Sequence, residues 1–291
     1  MYTQIFTVIA PIIFIALLGF TWSFFKLRYD GKFISKIVMD VGAPCLILST
    51  MQKTGLPSGE VLLMSKITVT GLAFLFLFNT ILIRITGVPL RSYLSSLTFA
   101  NTGNMGVPIC LFAFGEKALA LALIIFMVTS LFHFSIGVSL VGDRNPLATL
   151  VRSPVFYSAL ASFYLVFSGQ KLPDAVFNTV DILGAMAIPL MLFSLGVSLQ
   201  SLEIRSFSSS LFFAIMRLCI GFSVGWILCW IFNLHGMIKG VVLIQSSMPS
   251  AVFNYLLAFS YNREPEKAAG IVVFSTLISF VTLPLLLWLV L

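Results

Sequence analysis

The chain has 291 residues, of which 59% are apolar and only 9% charged, against about 25% charged in an ordinary soluble domain. That balance excludes a soluble globular domain and points to a helical protein that crosses a bilayer many times. The net charge of +7 does not make a nucleic-acid surface, because the basic residues stand singly between apolar runs, where charge sets membrane topology.

The first apolar run, 3–25, has no basic leader and no small-residue cleavage motif, so it is expected to be a retained helix rather than a signal peptide. Nine further spans are predicted at 32–52, 61–85, 91–114, 117–140, 153–169, 178–200, 207–233, 237–260 and 267–291. Span 2 carries Asp40 about one turn before Pro44. An intramembrane acid reads as a proton carrier, a cation ligand or the partner of a buried cation, and otherwise as a solvated residue near the helix end. Lys66 lies close enough to the end of span 3 to snorkel.

Span 4 is unusual. Its centre, within "SSLTFANTGNMGVPICLFAFG", holds Asn101, Thr102, Gly103, Asn104, Gly106 and Pro108, where lipid demands an unbroken helix. His133 in span 5 could relay protons or bond a neighbouring helix. Arg217 lies too deep in span 8 to snorkel easily. It is expected to pair with an acid, bind exposed carbonyls or attract an anion. Span 9 repeats the oddity of span 4 with "QSSMP" at 245–249.

Cys45, Cys110, Cys219 and Cys229 all fall inside apolar runs, with no CxxC or Cys/His cluster, and read as small buried hydrophobes. No metal site and no enzyme signature is found. "FSIGVSL" (134–140) and "FSLGVSL" (193–199) contain serines near glycine, with no base at a sensible spacing, and read as helix-packing positions.

Eleven Lys and Arg residues, Arg144 and Arg205 among them, flank the loops after odd-numbered spans, against four (Lys53, Lys117, Lys171, Lys239) after even-numbered ones. The excess places the odd loops in the cytoplasm and both termini outside, although Glu203, Glu264 and Glu266 weaken it in the last two cytoplasmic loops.

The halves 1–141 and 150–291 are weakly alike. Pro44 and Ser49 match Pro189 and Ser194, at a separation of 145 residues. Asn104-x-x-x-Pro108 matches Gln245-x-x-x-Pro249, 141 residues on, and Lys66 matches Arg217, 151 residues on. Because each half has five spans, an odd number, the second enters from the opposite side. The expected fold is therefore all-α and polytopic, with two inverted five-helix repeats, an arrangement common among secondary transporters.

Proline has no N–H, so Pro108 and Pro249 release the carbonyls of Asn104 and Gln245. Such groups must be met by protein or line a wet cavity. A helix starting after a break offers N–H groups and partial positive charge to an anion. The expected polar lining is Asn101, Asn104, Gln245, Ser246, Ser247 and Asn254, with Thr102 a further candidate and Gly106, Pro108 and Pro249 shaping the breaks.

"NTGNMGVPI" in span 4 and the block 246–286, beginning "SSMPSAVFNYLLAF", resemble the auxin efflux carrier family, which includes plant PIN proteins and bacterial members described as organic-anion transporters. The resemblance covers the whole chain. It implies a scaffold domain and a transport domain, crossed proline-broken helices 4 and 9, substrate beside their crossing, and an elevator-like movement. Unlike plant PIN proteins, the chain joins spans 5 and 6 by a short loop, "VGDRNPLATLVRSP".

These readings converge on a secondary transporter in a bacterial inner or plasma membrane. It would move a small carboxylate, a dicarboxylate or an auxin-like acid, by alternating access. No cofactor is expected, coupling to H+ or Na+ or to neither is left open, and a homodimer is allowed. A ligand or lipid sensor on a carrier fold, or a channel, are the alternatives.

Overall fold

The computed structural model describes residues 2–142, 145–202 and 207–291. Arg144, Glu203 and Arg205 of the topology count lie outside them. The described residues are overwhelmingly helical and form no named strand. In chain order the helices are α1 (Tyr2–Phe24), α2 (Gly31–Thr54) and α3 (Ser58–Thr86). Next come α4a (Leu90–Thr98), α4b (Thr102–Phe114), α5 (Glu116–Val141), a short connecting helix (Pro146–Leu150) and α6 (Pro154–Ser168). The rest are α7a (Asp174–Ala185), α7b (Ala187–Ser201), α8 (Phe207–Ile231), α9a (Gly236–Ser246), α9b (Val252–Ser260) and α10 (Pro265–Val290).

Among the described residues, seven stretches are long and apolar enough to cross a membrane, and α4b, α6 and α9a are shorter apolar helices. Trp230, Ile85 and Ile182 are 81%, 79% and 75% exposed, which suits a surface facing lipid. The protein is an integral membrane protein. Cys219 is exposed on α8, not buried as the sequence reading expects; Cys110 and Cys229 are buried, Cys45 is half-buried, and all four are free.

Local chemistry sets the helix ends. Asp30 caps α2 by accepting from Phe33 N at 3.0 Å, and Gly55 closes it in the left-handed region at φ 54°, a conformation cheap only for glycine. Ahead of Pro44 and Pro108 the helices widen into π turns, Val38–Gly42 and Thr102–Gly106. There Ala43 N reaches back to Val38 O and Val107 N to Thr102 O. Shifting the ladder to the fifth residue back accommodates the proline without unwinding the chain.

The most extensive helix contacts fall into two groups, joined through a shared apolar core and by α1–α4b, α2–α5 and α6–α5 contacts. In one, α1 lies along α7b, and α2 contacts α6 and α7a. In the other, α3 contacts α4a, α5 and α8, while α10 contacts α8 and α9b. Glycines set the closest approaches: a Cβ on Gly196 would stand 1.8 Å from Ala16 O, one on Gly19 2.0 Å from Phe193 O, and one on Gly184 2.8 Å from the Leu46 backbone. The packing role read for "FSLGVSL" is therefore met by backbone contact at Gly196.

Candidate functional site

The interruptions of α4 and α9 meet each other. Phe99 is extended (φ −90°, ψ 107°), as is Ala251 (φ −68°, ψ 139°). Ala100 and Ser250 form an isolated antiparallel bridge. Asn101 N donates to Pro249 O at 2.7 Å and Ala251 N to Phe99 O at 3.1 Å. Backbone groups freed from each helix thus satisfy those freed from the other, as a low-dielectric interior requires.

This geometry corrects two expectations. The unwound residues of span 4 are 99–101, not the Asn104–Pro108 stretch, because the π turn absorbs Pro108 within α4b. The bridge also pairs positions 150 residues apart, Ala100 with Ser250. Counted from it, Asn104 and Asn254 both lie four residues beyond the bridge, and Ser95 and Gln245 both lie five before it, so Asn104 and Gln245 do not share a register at the crossing.

A cavity of about 120 Å3 lies beside the crossing. One wall is Asn101, Thr102, Gly103 and Asn104 from the start of α4b, and another is Val252 and Phe253 from the start of α9b. Its remaining walls come from α5 (Thr129, Ser130, His133), α2 (Ser35, Met39) and α7b (Met191, Ser194, Ser198). It therefore sits between the two helix groups. The first ladder bond of α4b is Gly106 N to Asn101 O at 3.1 Å, so the amides of residues 102–104 precede the helical hydrogen bonding. Two helix N-termini, with their partial positive charge, border one space. The buried Asn101 Nδ2 has no partner.

His133 is buried against this cavity; its side chain interacts with the Asn254 amide of the neighbouring α9b, as one of its two expected roles requires, and its Nε2 has no partner. Its ring stacks on Phe99 at 4.1 Å and meets Phe253 edge-on at 5.1 Å. Next to the cavity, sharing Ser35, Ser194, Ser198, Val252 and Leu256, is a vestibule of about 800 Å3 bordered by Lys26, Tyr29, Asp30 and Lys32. It opens at the α1–α2 loop. The Tyr29 hydroxyl and Ser194 Oγ share a hydrogen bond of 2.8 Å at this mouth. Burial raises the Tyr29 pKa, partly opposed by the Ser194 bond, so the hydroxyl stays neutral.

The lining expected around one site is divided. Asn101, Thr102 and Asn104 line the cavity. Gln245 and Ser246 border a second space of about 40 Å3 with Arg217. Ser247 lines an apolar cleft with Thr282 and Trp288. Asn254 is a staple: Oδ1 accepts from Ser95 Oγ at 2.9 Å, and Nδ2 donates to Phe99 O at 2.9 Å and Ser250 Oγ at 3.1 Å. Gly106 passes so close to Gln245 that a Cβ would stand 2.4 Å from Oε1. Pro108 is buried within α4b, and Pro249 contributes its carbonyl to the crossing.

Asp40 is half-buried in the first π turn and lines none of these spaces, though its neighbours Val38 and Met39 line the cavity. Arg217 is fully buried, and its Nη2 donates to Ser246 O at 3.3 Å. Of its three expected partners, the structure supplies the carbonyl. Lys66, matched to it by sequence, is exposed. Sequence reasoning missed Ser194 and Ser198, although their spacing of one helical turn puts both on one face of α7b.

The pattern of a family described as "Membrane transport protein" matches residues 4–149 and 144–287. The chain belongs to the membrane transport protein family. It is 25% identical over 303 residues to an uncharacterized transporter of Methanocaldococcus jannaschii, covering 98% of each chain. An uncharacterized transporter of Methanothermobacter thermautotrophicus is 26% identical over 274 residues, covering 88% of each. A Rhizobium meliloti protein named "Putative malonate transporter" is 22% identical over 208 residues, covering 66% of this chain and 64% of its own. The protein is thus a membrane transporter and not an enzyme, in keeping with the resemblance read from the sequence.

Proposed function

We propose that the chain is a secondary carrier of a small organic anion, bound in the cavity beside the α4–α9 crossing and moved by alternating access. The observation that carries this reading is the convergence of the α4b and α9b N-termini on a single cavity with the unpartnered Asn101 amide. Partial positive charge and free donors suit a carboxylate, while Met191, Phe126 and Phe253 suit an apolar body. At about 120 Å3 the space favours a compact mono- or dicarboxylate over an indole-sized acid such as auxin. The name of the Rhizobium relative points the same way.

The carrier reading includes ten membrane crossings in two inverted five-helix repeats, with both termini outside. The α1–α2–α6–α7 group serves as scaffold. The group containing α3, α4, α5, α8, α9 and α10 moves past it, carrying the crossing. Lys26 and Lys32 at the vestibule would draw anions toward the open side.

Uptake of labelled malonate and a panel of short carboxylates into proteoliposomes tests this. Saturable uptake with trans-stimulation is expected. Asn101→Ala and Asn104→Ala should each weaken apparent affinity about tenfold, the equivalent of one hydrogen bond to a charged group. Carboxylate binding without flux would make the protein a sensor. Flux linear in substrate, with single-channel steps, would make it a channel.

A further inference from the structure

Arg217 has no part in the cavity just described, yet it is the largest fully buried side chain in the described structure. No acid lies within ion-pair distance of it among the described residues. Its Nε and Nη1 have no protein partner, and its one hydrogen bond goes to Ser246 O. An isolated charge in a membrane interior is costly and marks function, so its compensation must come from elsewhere.

The crossing supplies it. α4a ends at Thr98 and α9a at Ser246, and Thr98, Ser246 and Arg217 border the same 40 Å3 space. Each helix C-terminus carries roughly half a negative charge. Two of them offset one guanidinium. Asn79 adds to the arrangement by donating from Nδ2 to Leu97 O at 3.1 Å, meeting a further end carbonyl. The crossing is thus polarised. The start of α9b borders only the 120 Å3 cavity and the start of α4b borders both spaces through Thr102, whereas both C-termini border the Arg217 space alone.

In carriers with discontinuous helices, such carbonyl ends are where Na+ or H+ is held. Here a side chain already stands at that position. We propose that Arg217 is a tethered counter-cation: it occupies the carbonyl side of the crossing in place of a mobile coupling ion, so this site binds no Na+. An anion beside Arg217 is disfavoured by the same two helix ends. The inference rests on the placement of the broken helices and not on the organic-anion reading. It is therefore tested without any carboxylate present.

Thermal unfolding of the purified protein is compared in sodium chloride, choline chloride and sodium gluconate. The wild type is expected to melt within about 1 °C in all three. Arg217→Ala should melt at least about 5 °C lower in choline, and millimolar methylguanidinium or Na+ should recover half or more of that loss by binding the vacated carbonyl site. A Na+-specific rise of about 3 °C or more in the wild type would overturn the proposal. So would a chloride-specific rise abolished in Arg217→Ala, or a loss that no cation recovers. Should Arg217→Ala fail to fold, equilibrium binding of radioactive Na+ to the wild type and to Arg217→Lys decides. Neither should bind it at the crossing, and stoichiometric binding to either refutes the tethered-cation role.

Discussion

Asn254 and Asn104 occupy equivalent places four residues beyond the bridged pair, yet their amides do different work. Asn254 spends its amide on three hydrogen bonds between α4a, the extended Phe99 and Ser250. Asn104 is half-buried and faces the cavity. Asn254→Leu should therefore cost about 3 kcal/mol of stability, since it strands buried partners as well as losing bonds. Asn104→Leu should cost under about 1 kcal/mol, as expected away from such a network. Denaturant or thermal unfolding of the two variants checks this, and equal losses would refute the division of roles. The sequence showed that both residues sit at a break, but not which one is used up there. The spacing of Gln245 to Pro249 copies that of Asn104 to Pro108, yet at the bridge it is Asn254, not Gln245, that stands as far from the crossing as Asn104. A proline can lie inside the unwound segment, as Pro249 does, or be absorbed downstream by a π turn, as Pro108 is. Spacing to proline consequently does not fix the register of a break, whereas a backbone bridge does.

At the level of elements, each span drawn from hydropathy falls on helix, though the fourth, seventh and ninth are interrupted at 99–101, 186 and 247–251, because lipid rewards one pattern so strongly that residue detail hardly matters. What hydropathy does not reveal is which helices touch. That information resides in small residues such as those of "FSLGVSL", where Gly196 meets the α1 backbone and Gly19 meets the α7b backbone in return. A methyl at either position would strike main-chain atoms, which have no rotamer to yield, so the helices must move apart. Gly196→Ala is expected to cost about 2–3 kcal/mol. Gly59→Ala, with nothing within 4 Å of the added carbon, should be neutral or gain up to about 1 kcal/mol from helix propensity. If Gly196→Ala melts like Gly59→Ala, the α1–α7b contact is looser than described.

Across the whole molecule, the two helix groups leave an opening on one face and a seal on the other. The vestibule lies at the α1–α2 loop. Toward the chain termini, Ile5, Val8, Ile9 and Ile12 recur along one face of α1, are all 9% exposed or less, and belong to the main apolar core. Besides α7b, α1 contacts α4b and α10, so this stripe closes the boundary between the groups. If the groups slide past each other, the seal must open when the vestibule closes. Single cysteines in a chain whose four native cysteines are replaced would report this. Leu256→Cys, on the vestibule wall, should react with an impermeant thiol reagent from the α1–α2 loop face when no substrate is present, while Val8→Cys stays protected. Adding a transported carboxylate should slow the first and expose the second from the opposite face, each by severalfold. Labelling of both sites at once would mean a continuous pore. Val8→Cys remaining protected during active uptake would mean that the α1 seal never opens and that the moving boundary lies elsewhere.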